Sequence, residues 1–281
     1  MGIETALQLN TEIISADSRQ IYRELLIGSS PPTPEQLRQV KHHFIGTRSV
    51  QDEYNAGTYG QDARKLLEQL FQQHDYIVLC GGSGLYIRAV CEGMDELPEQ
   101  DAATRELLNN LYKEKGIEAL HEQLLQLDPE YFHQVDLHNP QRLIRALEVC
   151  MLTGKTYSSL RTQTSKLKSQ TGFRQVKIGL NMERKELYER INQRVDTMFE
   201  QGLEQEARSL EHLRHLSALQ TVGYSELFDY FDRKCSLNEA KELIKRNSRR
   251  FAKRQLTWFR KDKEIKWLLP SEIISTFAHS F

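Results

Sequence analysis

No stretch of the 281 residues approaches the roughly eighteen consecutive apolar side chains that a membrane-spanning helix needs, so a bilayer role is not expected. The opening MGIETALQLN has no basic start followed by a long apolar run, so no secretory leader is read there. Cysteine is scarce. Cys80, Cys91, Cys150 and Cys235 lie far apart with no C-x-x-C pair, which argues against a disulfide framework or a zinc site and fits reduced thiols in a cytoplasmic protein. The chain also lacks a charge bias: 38 Lys and Arg stand against 39 Asp and Glu, so any attraction to nucleic acid has to be local. Internal repeats and low-complexity segments are absent. His42 and His43 are adjacent and project to opposite sides of any regular element, so no metal ligands are assigned.

The local charge is found near the C-terminus. Ten basic residues fall between Lys241 and Lys263, opposed only by Glu242 and Asp262. Leu243, Ile244, Phe251, Leu256 and Phe259 supply an apolar stripe, so the segment reads as a helix with one buried face and one cationic face. Dense Lys and Arg on one face is the footprint of phosphate contact, for which Arg249 and Lys253, four apart, are representative. A plain solvated helix face is the competing reading.

Residues 12–16 (EIISA), 76–80 (YIVLC) and 175–180 (QVKIGL) have strand length and composition, and helical periodicity runs from Arg184 to about Leu213. Strands separated by helices predict an α/β fold with a mainly parallel sheet, in which ligands bind beyond the carboxyl ends of the strands. Two polar clusters fall at such ends: Asp17-Ser18-Arg19-Gln20 and Gly81-Gly82-Ser83-Gly84. Between residues 97 and 171 the texture changes to helices alone, at 103–115, 117–127 and 140–153, broken at Asp128-Pro129 and Asn139-Pro140. The organisation expected is a core of residues 1–97 and 172–281 with an all-helical insertion at 98–171, whose return linker is the Ser/Thr/Lys-rich piece 162–171.

Asp17 suits three roles: helix N-cap, metal ligand or general base. The GGSG turn can aim backbone amides at an anion, although tight packing explains many such turns. Gln141, Arg142 and Arg145 share a helix face, as do Arg190 and Arg194. Ion pairs with neighbours such as Glu148 or Asp196 would explain these arginines equally well.

Taken together, EIISADSRQIY (12–22), HHFI (42–45), YNAGTYGQDA (54–63), GGSGLY (81–86), NPQRLIRALEV (139–149), QTVGYSEL (220–227) and KRQLTWF (253–259) occur in the order found in tRNA dimethylallyltransferases, and the chain resembles that family from Asn10 to about Leu268. The resemblance implies a P-loop NTPase-like parallel core and transfer of a dimethylallyl group from dimethylallyl diphosphate to N6 of the adenine beside the anticodon. It makes Asp17 the catalytic base, assigns Arg194 and Ser83 (commonly Thr) to the diphosphate, and implies Mg²⁺ as cofactor. It makes Asp17, Ser18, Arg19, Gln20, Ser83, Arg105, Gln141, Arg142, Leu143, Ile144 and Arg145 contacts to the anticodon stem-loop of tRNA. A cytoplasmic monomer is expected.

The family's phosphate-binding loop, G-x-x-x-x-G-K-[ST], does not occur in the 281 residues, and only ten residues precede Thr11. The resemblance therefore implies a missing first strand, with unpaired sheet edges left behind, and residues that by themselves transfer no prenyl group. Two alternatives stand beside this reading: a prenyltransferase acting on free adenine nucleotides, and a tRNA-binding protein without chemistry.

Overall fold

A computed structural model of the chain describes residues 1–95, 97–161 and 172–272. It divides into two compact units, Met1–Val90 with Arg174–Phe281, and Cys91–Phe173. The second unit spans slightly more than the insertion expected at 98–171, and the linker 162–171 lies outside the described residues.

In the first unit, α1 (Gly2–Gln8) leads into β1 (Ile13–Ser15), whose residues are all buried. The strands β2 (His42–His43) and β3 (Val78–Cys80) flank it, and both pair with it in parallel. Ile14 stands opposite His43 on one side and Leu79 on the other, which places the end of β1 beside the end of β3. Parallel neighbours need crossovers, and these are α2 (Pro34–Gln39) and α3 (Ala56–Leu70). Thr33 opens α2 with a capping box and Asn55 opens α3 by accepting from the amides of Gly57 and Thr58. The helix α4 (Gly84–Cys91) leaves β3 through the GGSG turn.

A separate parallel pair is formed by β4 (Ile178–Leu180) and β5 (Lys266–Leu268). Among the described residues β3 pairs only with β1, and β4 only with β5, so each has an unpaired edge; Cys80 and Leu180 on these strands are exposed. All three strands expected from sequence form, each two or more residues shorter than its apolar run. The two-residue β2 and the polar-flanked β5 give no comparable signal.

Between β4 and β5 lie four α-helices. The predicted helix from Arg184 stops after α9 (Arg184–Glu200), because Gly202 takes a φ of 102° and starts the new helix α10 (Leu203–Ser209). Tyr224–Phe231 forms α11, and Leu237–Phe259 forms the long basic helix α12, opened by a Ser236/Glu239 capping box.

Among the described residues the second unit has helices and no strand. Its longest element, α5 (Ala102–Leu127), breaks at Gly116, where φ is 79°, the same point at which the sequence divides into two helical segments. The Asp-Pro and Asn-Pro breaks are helix starts. Asp128 caps α6 (Pro129–Phe132) and Asn139 caps α7 (Pro140–Thr153), each with proline at the first helical position. α8 (Tyr157–Arg161) is tied down by Asp128, which is fully buried and accepts from both the amide and the hydroxyl of Ser158. Leu108, Leu120, Leu124, Leu143 and Leu147 pack in the core between α5 and α7. Each such side chain stabilises the unit by about 1.5–3 kcal/mol on burial.

Candidate active site

The parallel pairing of β1 with β3 brings the two polar clusters together. The Ala16 amide donates to the Cys80 carbonyl at 2.8 Å, and the Ser83 amide returns to the Ala16 carbonyl at 3.2 Å. The Ser18 amide donates to Ser83 Oγ at 2.9 Å, and the two hydroxyls lie 3.1 Å apart. Ser83 is therefore the joint between DSRQ and GGSG.

No helix starts at Asp17, so it is not the helix N-cap; its side chain closes a turn instead and keeps capacity for more. Its Oδ1 accepts from the amides of Arg19 at 2.8 Å and Gln20 at 3.3 Å, fixing the turn that follows β1. Its Oδ2 has no hydrogen-bond partner among the described residues. A carboxylate with one oxygen held and the other free is oriented for accepting a proton from a bound group.

The glycines of the GGSG turn are explained by packing. A Cβ on Gly81 would lie 2.3 Å from the Ala16 carbonyl oxygen, one on Gly82 2.3 Å from Gln255 Nε2, and one on Gly84 2.3 Å from Trp258 Nε1. Gln255 Nε2 also donates to the Gly82 carbonyl at 2.9 Å. The turn is thus wedged between the end of β1 and α12. One of the amides expected to face an anion, that of Ser83, is already bound to Ala16.

Around Asp17 stand side chains that the sequence reading passed over. Tyr86, on α4, stacks on Tyr59 with ring centroids 4.1 Å apart, and the Tyr59 hydroxyl donates to the Ser15 carbonyl at 2.9 Å. Burial pushes the Tyr86 phenol well above its ordinary pKa, and the nearby Tyr22 and Asp17 push the same way against Arg19. Burial likewise raises Tyr22, opposed by Arg19. Both phenols are neutral donors at physiological pH. Their only signal in sequence is position: each closes one of the two clusters, in DSRQIY and GGSGLY. Arg194 projects from α9 within electrostatic reach of Asp17. Burial lowers its pKa and Asp17 opposes the shift, and a guanidinium so placed remains a full cation.

Seven of the ten cations on and just after α12 fall into two groups. Lys241 and Lys245 both bind Asp196 of α9, at 2.8 and 2.9 Å, and Arg249 donates to Asn192 at 2.5 Å. These three hold α12 against α9, so Arg249 is a packing residue and not the free phosphate contact expected of it. Arg250, Lys253, Arg254 and Lys261, with Thr257 and Trp258, line a cleft of about 410 Å³. Of the adjacent histidines, His42 meets the Val40 carbonyl, while His43 meets Glu12. Among the described residues no group of three His, Cys, Asp or Glu could hold a metal ion.

In the helical unit the expected RNA contacts divide. Gln141 and Arg142 are exposed on the first turn of α7. Leu143 and Ile144 are 0% and 1% exposed within the core, so their side chains serve packing and offer nothing to a ligand, correcting the expectation that they touch RNA. Arg145 and Arg105 both bind Glu148, at 2.7 and 3.3 Å, and the fully buried Glu148 also accepts from the Asp101 amide. Arg145 reaches the Pro98 carbonyl as well, at 2.6 Å. The ion-pair reading holds for Arg145, and Arg105, expected only as an RNA contact, joins the same carboxylate.

Residues 20–262 match the family model described as IPP transferase. The chain is 49% identical to tRNA dimethylallyltransferase 1 of Bacteroides thetaiotaomicron over 272 residues, 97% of this chain and 87% of that protein. It is 48% identical over its full length to tRNA dimethylallyltransferase 1 of Phocaeicola vulgatus, covering 93% of it. Among solved structures, the tRNA isopentenylpyrophosphate transferase of Bacillus halodurans superposes with a TM-score of 0.67 at 36% identity, covering 95% of this chain and 84% of that one. A eukaryotic dimethylallyltransferase acting on tRNA superposes with a TM-score of 0.76 at 20% identity, covering 98% and 72%, a likeness of fold. With the model matched from Gln20 to Asp262 and relatives near half identical along almost the whole length, this chain belongs to the IPP transferase family.

Proposed function

We propose that the chain alkylates N6 of the adenine beside a tRNA anticodon with a dimethylallyl group from dimethylallyl diphosphate. The observation that carries this reading is the junction of Ser18 and Ser83, which joins the turn that holds Asp17 to the GGSG turn in a chain of this family. An exocyclic aromatic amine is a weak nucleophile because its lone pair is delocalised into the ring. As the N6–C bond forms and the C–O bond to diphosphate breaks, the proton on N6 passes to Asp17 Oδ2, a contribution of about 10²- to 10⁴-fold. Arg194 faces the charge that develops on the leaving diphosphate, with the Ser83 hydroxyl beside it. The 281 residues contain no G-x-x-x-x-G-K-[ST] loop, and Arg194 and Ser83 are the groups within them that suit the donor side.

Mg²⁺ fits here as an ion carried by the diphosphate, since among the described residues no group of three His, Cys, Asp or Glu is gathered to hold it. The Ser18 and Ser83 hydroxyls are the protein oxygens suited to it, and it would neutralise charge on the leaving group. The adenine has to leave the stacked loop to reach a carboxylate at a strand end. Gln141 and Arg142 are the exposed groups of the helical unit suited to gripping that loop, and the cleft around Lys253 suits its phosphates. The enzyme works as a cytoplasmic monomer in this reading. A polymeric acceptor is favoured over a free nucleotide by the four cations lining that cleft.

Transfer of labelled dimethylallyl to unmodified anticodon stem-loop RNA, with Mg²⁺, tests the proposal directly. Label in the RNA supports it, and Asp17→Ala is then expected to lower turnover by at least about 10²-fold with RNA affinity little changed. Bound RNA without label would remove the transfer step from these 281 residues. Faster labelling of free AMP than of RNA would move the acceptor to nucleotides.

A further inference from the structure

The loop that follows the DSRQ turn is held by a carboxylate far away in sequence. Glu206, on α10, accepts from the Ile27 amide through Oε2 at 2.7 Å and from the Gly28 amide through Oε1 at 2.9 Å. The Tyr224 hydroxyl donates to the same Oε1 at 2.6 Å. Tyr224 is 1% exposed, and burial together with the charge of Glu206 keeps its phenol protonated, so it is a permanent donor. No side chain is tolerated at Gly28, where a Cβ would lie 2.4 Å from the Tyr224 hydroxyl oxygen. Beyond this clasp, the carbonyls of Ser29 and Ser30 accept from the Gln20 side-chain amide at 3.4 and 3.0 Å. The backbone amide of Gln20 in turn donates to Asp17 Oδ1.

We propose that Glu206 is a positioning residue that fixes the Asp17 carboxylate through the loop at 27–30 and Gln20. The role rests on Asp17 being the proton acceptor. A carboxylate is the one side chain that suits this clasp, because two neighbouring amides and a phenol together need acceptor capacity on both oxygens. Glutamine has the same size but turns an N–H₂ toward one of the amides, leaving a donor against a donor. Glu206→Gln therefore separates hydrogen bonding from volume.

Amide hydrogen exchange, read residue by residue by NMR on the full chain, tests the coupling without RNA. In Glu206→Gln and Glu206→Ala, exchange is expected to quicken about 10-fold or more at Ile27, Gly28, Arg19 and Gln20, while Ile13 and Ile14 in β1 keep their protection. Tyr224→Phe retains both amide bonds and is expected to stay near the parent at Arg19 and Gln20. Loosening confined to Ile27 and Gly28, or spread equally through Ile13 and Ile14, would overturn the proposal. Binding of anticodon stem-loop RNA and dimethylallyl transfer to it are measured on the same samples. A Glu206→Gln turnover several-fold below the parent's with RNA affinity little changed supports positioning, and an unchanged turnover with a loosened turn overturns it. Failure of the parent to bind RNA would count against the tRNA reading, while the exchange result would still decide the coupling.

Discussion

Single residues at the strand ends carry both geometry and chemistry, and substitutions there have different costs according to what they strike. An added Cβ at Gly81 meets the backbone of Ala16 at 2.3 Å, and backbone cannot move without shifting β1. At Gly82 the nearest atom is the end of the Gln255 side chain, which can swing away. Gly81→Ala is therefore expected to destabilise the fold by about 1–3 kcal/mol and Gly82→Ala by clearly less, measured by thermal or denaturant unfolding. Equal costs would show that the two approaches are equally stiff. Tyr86→Phe removes only a hydroxyl near Asp17 while leaving the stack on Tyr59, so it should alter turnover and its pH profile more than stability.

At the scale of the element, α12 has two jobs on different faces. Lys253→Ala should lower the salt slope of RNA binding by about one, as loss of one phosphate contact does. Arg249→Ala should leave that slope unchanged and cost stability, because Arg249 is spent on Asn192 of α9. The neighbouring Asp196 titrates with a definite sign. Hydrogen bonds from Lys241 and Lys245 hold its carboxyl below the ordinary aspartate range. Its stabilising contribution is thus complete above about pH 4 and fades as pH falls through the lowered value. Asp196→Asn is expected to cost roughly 0.5 kcal/mol near neutrality, since the pair is partly exposed, with the difference from the parent vanishing in acid. Unfolding curves at pH 7 and pH 3 would check it.

For the molecule as a whole, the division into two units confines the consequences of a buried charge. Glu148 has no exposed surface, and all its partners, Asp101, Arg105 and Arg145, lie in the helical unit. Arg145→Met leaves that carboxylate half-compensated, a cost of about 3 kcal/mol. Amide protection is expected to fall at Leu120 and Leu143 and to hold at Ile13 and Ile14. An equal fall in both units would show that the two unfold together.

The sequence by itself determined the α/β class, three strands, the helical insertion with its break at Gly116 and its Asp-Pro and Asn-Pro helix starts, and the two polar clusters. These features rest on periodicity, caps and glycine, which act within a few residues of one another. The family was legible too, because its motifs are short ordered strings. Only the tertiary structure decided which polar groups are free. Leu143 and Ile144 look like part of a contact motif until α5 covers them, and Arg105, Arg145 and Arg249 look like free cations until Glu148 and Asn192 meet them. Tyr22, Tyr86 and the Glu206 clasp join residues up to 179 positions apart, and no local pattern encodes such a meeting. A side chain's chemistry is written in its identity, but its availability depends on what the rest of the chain has packed against it.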